Sequence, residues 1–268
     1  MKTISPTPHL DINKILNLLH SNVKETLARQ FVGIYLFGSL ANGGFDKHSD
    51  IDVLVVTKNE MPNDIFSSLQ AIHAQLANID SPWARQLEVS YIPQKALRRF
   101  DAADKLHPHL DRGGSESLHW MAHESDWIIQ RHILRERGII LEGSAPQSLI
   151  DPISASDLQK AVVNVLPLWA RPILEDPLQI GSRGYQSFIV LSLCRMLYTL
   201  QCGTIISKRA AADWAQDALS KQWSPLIARA WQGRQNAGSD AQPEDVDGTL
   251  NFIRFTMEYS RQIEDPKK

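Results

Sequence analysis

Cysteine is scarce in this chain: two residues in 268, Cys194 and Cys202. Two thiols cannot build a disulfide framework, and their spacing fits no zinc motif. Eight positions apart on a helix, they lie about two turns from each other, too far for a bond within a straight helix. A reducing compartment is therefore expected. No apolar run reaches the ~18 residues that span a bilayer, and the longest, from Phe188 to Leu200, is broken by Arg195. The opening stretch from Met1 to Pro6 has no apolar h-region, so no secretory signal is expected. Charge of one sign is also missing. A formal net charge of -2, without a basic stripe, argues against generic nucleic-acid binding. P-loop, dinucleotide and nucleophile-elbow motifs are absent, as are internal repeats and low-complexity tracts. The expectation is a cytoplasmic monomer whose partners are small molecules, with no nucleic acid and no membrane.

What is present is ordinary for a folded protein: 43% hydrophobic and 22% charged residues. The length suits one large domain or two smaller ones. Apolar residues at Ile12, Ile15, Leu16, Leu19, Val23 and Leu27 have helical spacing, with Asp11 as a plausible N-cap. Residues 33–37 read as a buried strand ending at Gly38, and a polar loop follows. Asp50 to Thr57 reads as a second strand, Asn63 to Asn78 as a helix, and Leu87 to Ile92 as a third strand closed by Pro93. Phe100 to Ser117 lacks periodicity and reads as a loop. Leu118 to Arg137 reads as a helix stopped by Gly138, followed by an edge strand at Ile139 to Leu141. Strand, helix and strand in this order suit a mixed sheet backed by helices.

After Pro146 the strand-like runs vanish. Ser156 with Gln159 has capping-box spacing, and Tyr185 to Gln201 is a strongly apolar helix ending near Gly203. Ser207 can cap a helix from Lys208 to Leu219, and further helices are expected near 224–234 and 244–264. The fold class is therefore α+β: residues 1–150 carry a mixed β-sheet backed by helices, and residues 151–268 form an all-α bundle.

The chemistry concentrates between Leu36 and Val56. Reduced to essentials, the segment is strand, Gly38-Ser39, ten residues, Asp50-x-Asp52, strand. Side chains alternate along a strand, so Asp50 and Asp52 share one side while Ile51, Val53 and Val55 share the other. At roughly 6–7 Å separation and an effective dielectric near 20, their repulsion is on the order of 2–3 kcal/mol. A nearly apolar strand is expected to carry that pair only where a cation sits between them. Mg²⁺ takes oxygen ligands and keeps positions open for phosphate oxygens. Gly38 permits close backbone approach, and Ser39 offers a hydroxyl and an N–H to a polyphosphate.

This Gly-Ser-x10-Asp-x-Asp pattern, with Glu88 as a third acid on the next strand, resembles the signature of the DNA polymerase β-like nucleotidyltransferase superfamily. The second half sharpens the likeness. Leu191-Ser192-Leu193-Cys194-Arg195, Gly203 and the run from Lys208 to Ala215 resemble aminoglycoside 3''-adenylyltransferases of the streptomycin/spectinomycin type, as does His132 to Gly138 leading into Leu141-Glu142-Gly143. The resemblance covers roughly 30–235 and implies a nucleotidyltransferase domain followed by a helical domain. It also implies ATP as co-substrate, Mg²⁺ on Asp50 and Asp52, and Glu88 as the general base that meets the acceptor. Gly38, Ser39, Lys208 and Arg195 would contact nucleotide. The reaction implied is transfer of AMP to a hydroxyl of an aminoglycoside or aminocyclitol antibiotic, with release of pyrophosphate.

Two departures bear on the acceptor. The family's drug-gripping tryptophan after the third strand is missing, since no Trp lies between Trp83 and Trp120, and Tyr185 occupies the place of a family aspartate. Tyr185 is thus a candidate acceptor contact, and Asp101, Asp104, Asp111 and Glu116 are candidate replacement acids. His107 and His109, flanking Pro108, can reach substrate from their loop. His119 and His123 do not form a zinc-protease motif. A different acceptor, or a nucleotide-binding regulator that has lost catalysis, remains an alternative reading at this stage.

Overall fold

The computed structural model describes residues 5–112 and 117–264. They fall into two compact units, Met1–Pro152 and Ile153–Lys268. Strands and sheet belong to the first unit and the second is helical, which bears out the α+β expectation.

Alternating apolar residues build the first unit's sheet. Its strands are β1 (Phe31–Leu36), β2 (Ile51–Thr57), β3 (Leu87–Pro93), β4 (Leu106–Leu110), β5 (His119–Ala122) and β6 (Ile139–Glu142), in the spatial order β5-β4-β3-β2-β1-β6. Only the β2–β3 pair is parallel; the other pairs are antiparallel. A parallel pair needs a crossover connection, and helix α3 (Asn63–Ala77) supplies it, after α1 (Leu10–Leu27) and the single-turn α2 (Gly38–Ala41). Ile12, Leu16, Leu19 and Val23 of α1 and Leu69 and Leu76 of α3 share one buried cluster with Ile34, Leu36, Val53, Val55, Val89 and Tyr91. This parity is decisive. The odd-numbered side chains of β2 and β3 face α1 and α3, so Asp52, Leu54, Glu88 and Ser90 face the other way. There, Leu54 meets Phe37, Leu97, Trp127 and Leu134. These come from the loop after β1, from α4 (Gln94–Arg98) and from α5 (Asp126–Arg137). Buried Arg131 ties α5 down by donating to the carbonyls of Ala96, Leu97 and Trp127.

Three local expectations are corrected. The stretch from Phe100 to Ser117 is not all loop, because β4 runs through it. Pro108 disguised this strand, since proline lacks the N–H of a ladder residue. The β3–β4 register reaches only Leu110 and His109, and Pro108 pairs with Trp120 of β5 instead. The helix expected from Leu118 begins only at Asp126, since His119–Ala122 form β5, so His119 and His123 do not share a helix face. Asp11 lies in the first turn of α1 rather than at its N-cap, which is His9.

Short α6 (Pro146–Leu149) precedes the second unit, which holds α7 (Ala155–Glu175), α8 (Arg183–Cys202), α9 (Lys208–Ala218), α10 (Ser224–Gly233) and α11 (Pro243–Glu264). The capping box at the start of α7 is Ser154 with Asp157, not Ser156 with Gln159. Helix α8 touches α7, α9, α10 and α11. It is therefore apolar around its circumference, as a central helix must be, with Ile189 through Leu191 and Leu193, Cys194 and Leu197 all buried. It ends at Gly203 with φ 63°, the left-handed cap that glycine adopts without strain. Both cysteines are free. No described helix is long and apolar enough to cross a membrane.

Leu193 is 0% exposed at the centre of this bundle. Leu193→Ala is expected to lower unfolding free energy by about 2–5 kcal/mol in urea titrations. A loss below about 1 kcal/mol would contradict the packing described.

Candidate active site

Strand pairing assembles the acids. In the parallel β2–β3 ladder, Asp52 is the register partner of Glu88, and both side chains point away from α1 and α3. Asp50, two residues before Asp52, keeps the same parity. As a result, one oxygen from each of Asp50, Asp52 and Glu88 lies within 4.8 Å of the others, the only such acid, histidine or cysteine group of three among the described residues. The loop before them is held by Asp46, whose side chain accepts from the His48 N–H at 2.9 Å and whose carbonyl accepts from the Ser49 N–H at 3.0 Å.

The Gly38-Ser39 turn closes on the same acids. Gly38 has φ +60°, and a Cβ placed there would lie 1.7 Å from Asp52 Oδ2. No other residue fits without displacing the carboxylate. The Phe37 N–H donates to the Asp52 carbonyl at 3.1 Å, which fixes the turn against β2. The Ser39 hydroxyl is buried and lacks a hydrogen-bond partner, a costly arrangement unless something binds there.

Three carboxylates this close repel one another. Burial pushes the Glu88 carboxyl up to about 8, reinforced by the charges of Asp52, Asp50 and Asp111 and opposed by Arg112. Arg112 Nη1, on a solvent-exposed side chain, lies 3.8 Å from Asp50 Oδ2, an ion pair at long range. An all-oxygen donor set with converging charge suits a hard divalent cation. The orphaned Ser39 hydroxyl and the crowded acids fit Mg²⁺ with phosphate.

Beside this group, Asp111 follows β4. In the β3–β4 ladder Ser90 pairs with His109, and continuing that register brings Asp111 next to Glu88. His109 is 2% exposed. Its Nδ1 lies 2.7 Å from Ser90 Oγ, and its Nε2 lies 3.3 Å from Asp111 and 4.0 Å from Glu88. Burial holds its ring below the usual histidine range, with Asp111 opposing. His107 is also fully buried, against the ring of His123, and is not exposed to substrate as its loop assignment suggested. Glu116 lies outside the described residues, and Asp101 is exposed on a turn. The contacts of His109 and Arg112 with the acids were not legible in sequence, since both depend on recognising β4. The His107–His109–Asp111 alternation was the available signal.

The remaining expected residues belong to the helical unit. Lys208 is the first residue of α9, behind its N-cap Ser207, and its ammonium lies 4.9 Å over the Phe188 ring. Tyr185, in the first turn of α8, stacks on the same Phe188 with centroids 6.1 Å apart. Arg195, ten residues further along α8, is half-buried.

A parallel strand pair carrying three convergent acids beside a Gly-Ser turn defines a nucleotidyltransferase, and the chain matches a nucleotidyltransferase domain over residues 20–108. It also matches the C-terminal domain of aminoglycoside adenylyltransferases over residues 148–258. A spectinomycin 9-adenylyltransferase from Staphylococcus aureus is 29% identical over 251 residues, covering 89% of this chain and 90% of that one. An aminoglycoside (3'') (9) adenylyltransferase from Escherichia coli is 26% identical over 263 residues, covering 91% of each. The fold resembles that of a spectinomycin adenyltransferase, AAD(9), from Enterococcus faecialis, solved with ATP and spectinomycin: TM-score 0.72, 20% identity, 91% of this chain and 98% of that one. In both halves the chain is thus similar to the aminoglycoside adenylyltransferases, and it is an enzyme of the nucleotidyltransferase kind.

Folded Glu88 holds its proton more tightly than the unfolded chain does, so its contribution to stability is full below the ordinary glutamate range and is lost as pH rises towards about 8. The metal-free protein should therefore lose thermal stability across that window. Glu88→Gln should flatten the loss, and Mg²⁺ should restore stability at pH 8 in the wild type. A wild-type curve identical to that of the variant, with no Mg²⁺ effect, would contradict the crowding of charge described.

Proposed function

We propose that this enzyme transfers AMP from ATP to a hydroxyl of an aminoglycoside or aminocyclitol antibiotic of the streptomycin or spectinomycin kind, releasing pyrophosphate. The observation that carries the reading is the convergence of Asp50, Asp52 and Glu88 beside the Gly38-Ser39 turn. Relatives named for spectinomycin and for aminoglycoside adenylylation support the acceptor class, and the ATP in the AAD(9) structure supports the donor. The functional parts are a nucleotidyltransferase domain at 1–150 and a helical domain at 151–268.

Asp50 and Asp52 would hold Mg²⁺, which when bound neutralises charge on the triphosphate and so eases loss of pyrophosphate. Gly38 lets the turn close on the Asp52 carboxylate, and the Ser39 hydroxyl donates to a phosphate oxygen. Lys208 and Arg195 add cationic contacts to the nucleotide. Glu88 acts as general base. As the acceptor oxygen attacks the α-phosphorus, the new O–P bond forms and the bond from that phosphorus to the bridging oxygen breaks. The acceptor proton passes to Glu88. Ionised Glu88 is needed for this, and cancelling the charge of Asp50 and Asp52 removes part of what keeps it protonated. Tyr185 contacts the acceptor, offering a ring and hydroxyl where the family has a carboxylate.

Incubation with α-labelled ATP, Mg²⁺ and a panel of aminoglycosides should give a labelled drug. Glu88→Gln should reduce transfer by about 10²–10⁴-fold, and Asp52→Asn should abolish it. Active ATP turnover without labelling of any aminocyclitol or aminoglycoside, or label appearing on protein instead, would overturn the acceptor assignment.

A further inference from the structure

Four side chains on one face of β3 and β4 form a closed arrangement: Glu88 and Ser90 on β3, His109 and Asp111 on β4 or immediately after it. Ser90 and His109 are register partners, both are 2% exposed, and their polar atoms meet at 2.7 Å. The other edge of the imidazole faces two carboxylates, Asp111 Oδ1 at 3.3 Å and Glu88 Oε1 at 4.0 Å. Asp111 Oδ1, at 3.3 Å, is within reach of an Nε2–H, whereas Glu88 Oε1 at 4.0 Å feels that N–H only electrostatically. Nε2 therefore carries the hydrogen, and in the neutral ring Nδ1 accepts from the Ser90 hydroxyl. Two further imidazoles stand edge-on to His109, His123 at 6.3 Å and His119 at 6.1 Å between centroids.

We propose that His109 is a positioning residue for the transfer reaction: locked in one tautomer by Ser90, it aims its Nε2–H between Asp111 and Glu88 and fixes the Glu88 carboxylate where the acceptor hydroxyl must meet it. The need is physical. Asp111 neighbours Glu88 and repels it, and without a donor between them Glu88 would swing away towards solvent. A general base that swings loses the hydrogen-bond reach on which proton transfer depends. His109 itself is buried, so it acts through Glu88 rather than on a substrate directly. Asp111 completes the arrangement. Its side chain is 42% exposed and lies 3.5 Å from His119 as well, so two imidazoles hold it from either side. This inference rests on Glu88 being the base.

The test pairs kinetics with spectroscopy. Ser90→Ala removes one buried oxygen and should fold; it should lower kcat about tenfold, and His109→Ala about ten- to a hundredfold, the usual range for residues supporting a reacting group. KM for ATP should stay within about twofold in both, since the lost contact acts on the acceptor side. His109→Gln, which restores an N–H near the Nε2 position, should recover most of the loss, which a merely structural role would not produce. Nitrogen-15 correlation spectra, with the His109 signal assigned by its absence in His109→Gln, should show the Nε2–H tautomer in the wild type. Wild-type kcat in Ser90→Ala and His109→Ala, while Glu88→Gln is impaired, would overturn the proposal, and so would an Nδ1–H tautomer. If the wild type transfers no AMP to any acceptor, the proposed function fails instead, and the tautomer alone still decides the geometry claimed for His109. Should His109→Ala not fold, Ser90→Ala and the tautomer carry the test.

Discussion

Like charges forced together organise this protein's first unit. A sheet face otherwise lined by Leu54, Phe37 and Trp127 ends in three carboxylates within 4.8 Å of one another. Nothing in the packing requires them; an apolar strand would be more stable without the repulsion, which even at a moderate dielectric is on the order of a few kcal/mol per pair. Strained, charged constellations of this kind persist where function needs them. Much of the local structure fits around it. Gly38 gives space that any Cβ would fill, the Asp46 turn holds the entry to β2, and Arg112 and His109 supply the nearby positive or donor groups.

The scaffold explains why the acids stay in place. Their strands are the two central parallel ones, each hydrogen-bonded on both sides. The opposite face is sealed by α1 and α3 through fully buried residues such as Leu16, Leu19 and Leu69. A one-residue slip of register would turn Asp52 and Glu88 into that core and expose Val53 and Val89, so hydrophobic burial specifies the register that the chemistry needs. The helical unit follows a different logic, a central apolar helix α8 wrapped by four others, with Lys208 and Tyr185 both against Phe188.

Much of this was legible in the residues. The helices at 63–77 and 183–202, strands β1 to β3, the change of character after Pro146 and the shared face of Asp50 and Asp52 all follow from periodicity, because long apolar patterns report burial directly. What escaped was short and unusual in composition. Strand β4 contains Pro108 between two histidines, and β5 is four residues long; neither shows enough alternation to separate it from loop or helix. Losing β4 hid the neighbours of Glu88, because Asp111 and His109 reach it only through strand pairing across a gap of about twenty positions. Pairing of distant segments is the information that local pattern does not contain. Helix caps failed by smaller margins: Ser154 competes with Ser156, and only the backbone decides which one accepts from the third helical N–H.

The central claim is that Asp50 and Asp52, with Glu88 beside them as the base, form a divalent-cation site that works together with nucleotide. Titration of Mn²⁺ followed by electron paramagnetic resonance, with and without a non-hydrolysable ATP analogue, tests it most directly. The account predicts bound Mn²⁺ in the wild type, tightened by the analogue, and loss of that binding in Asp52→Asn. Equal Mn²⁺ binding by wild type and variant, unaffected by nucleotide, would contradict it.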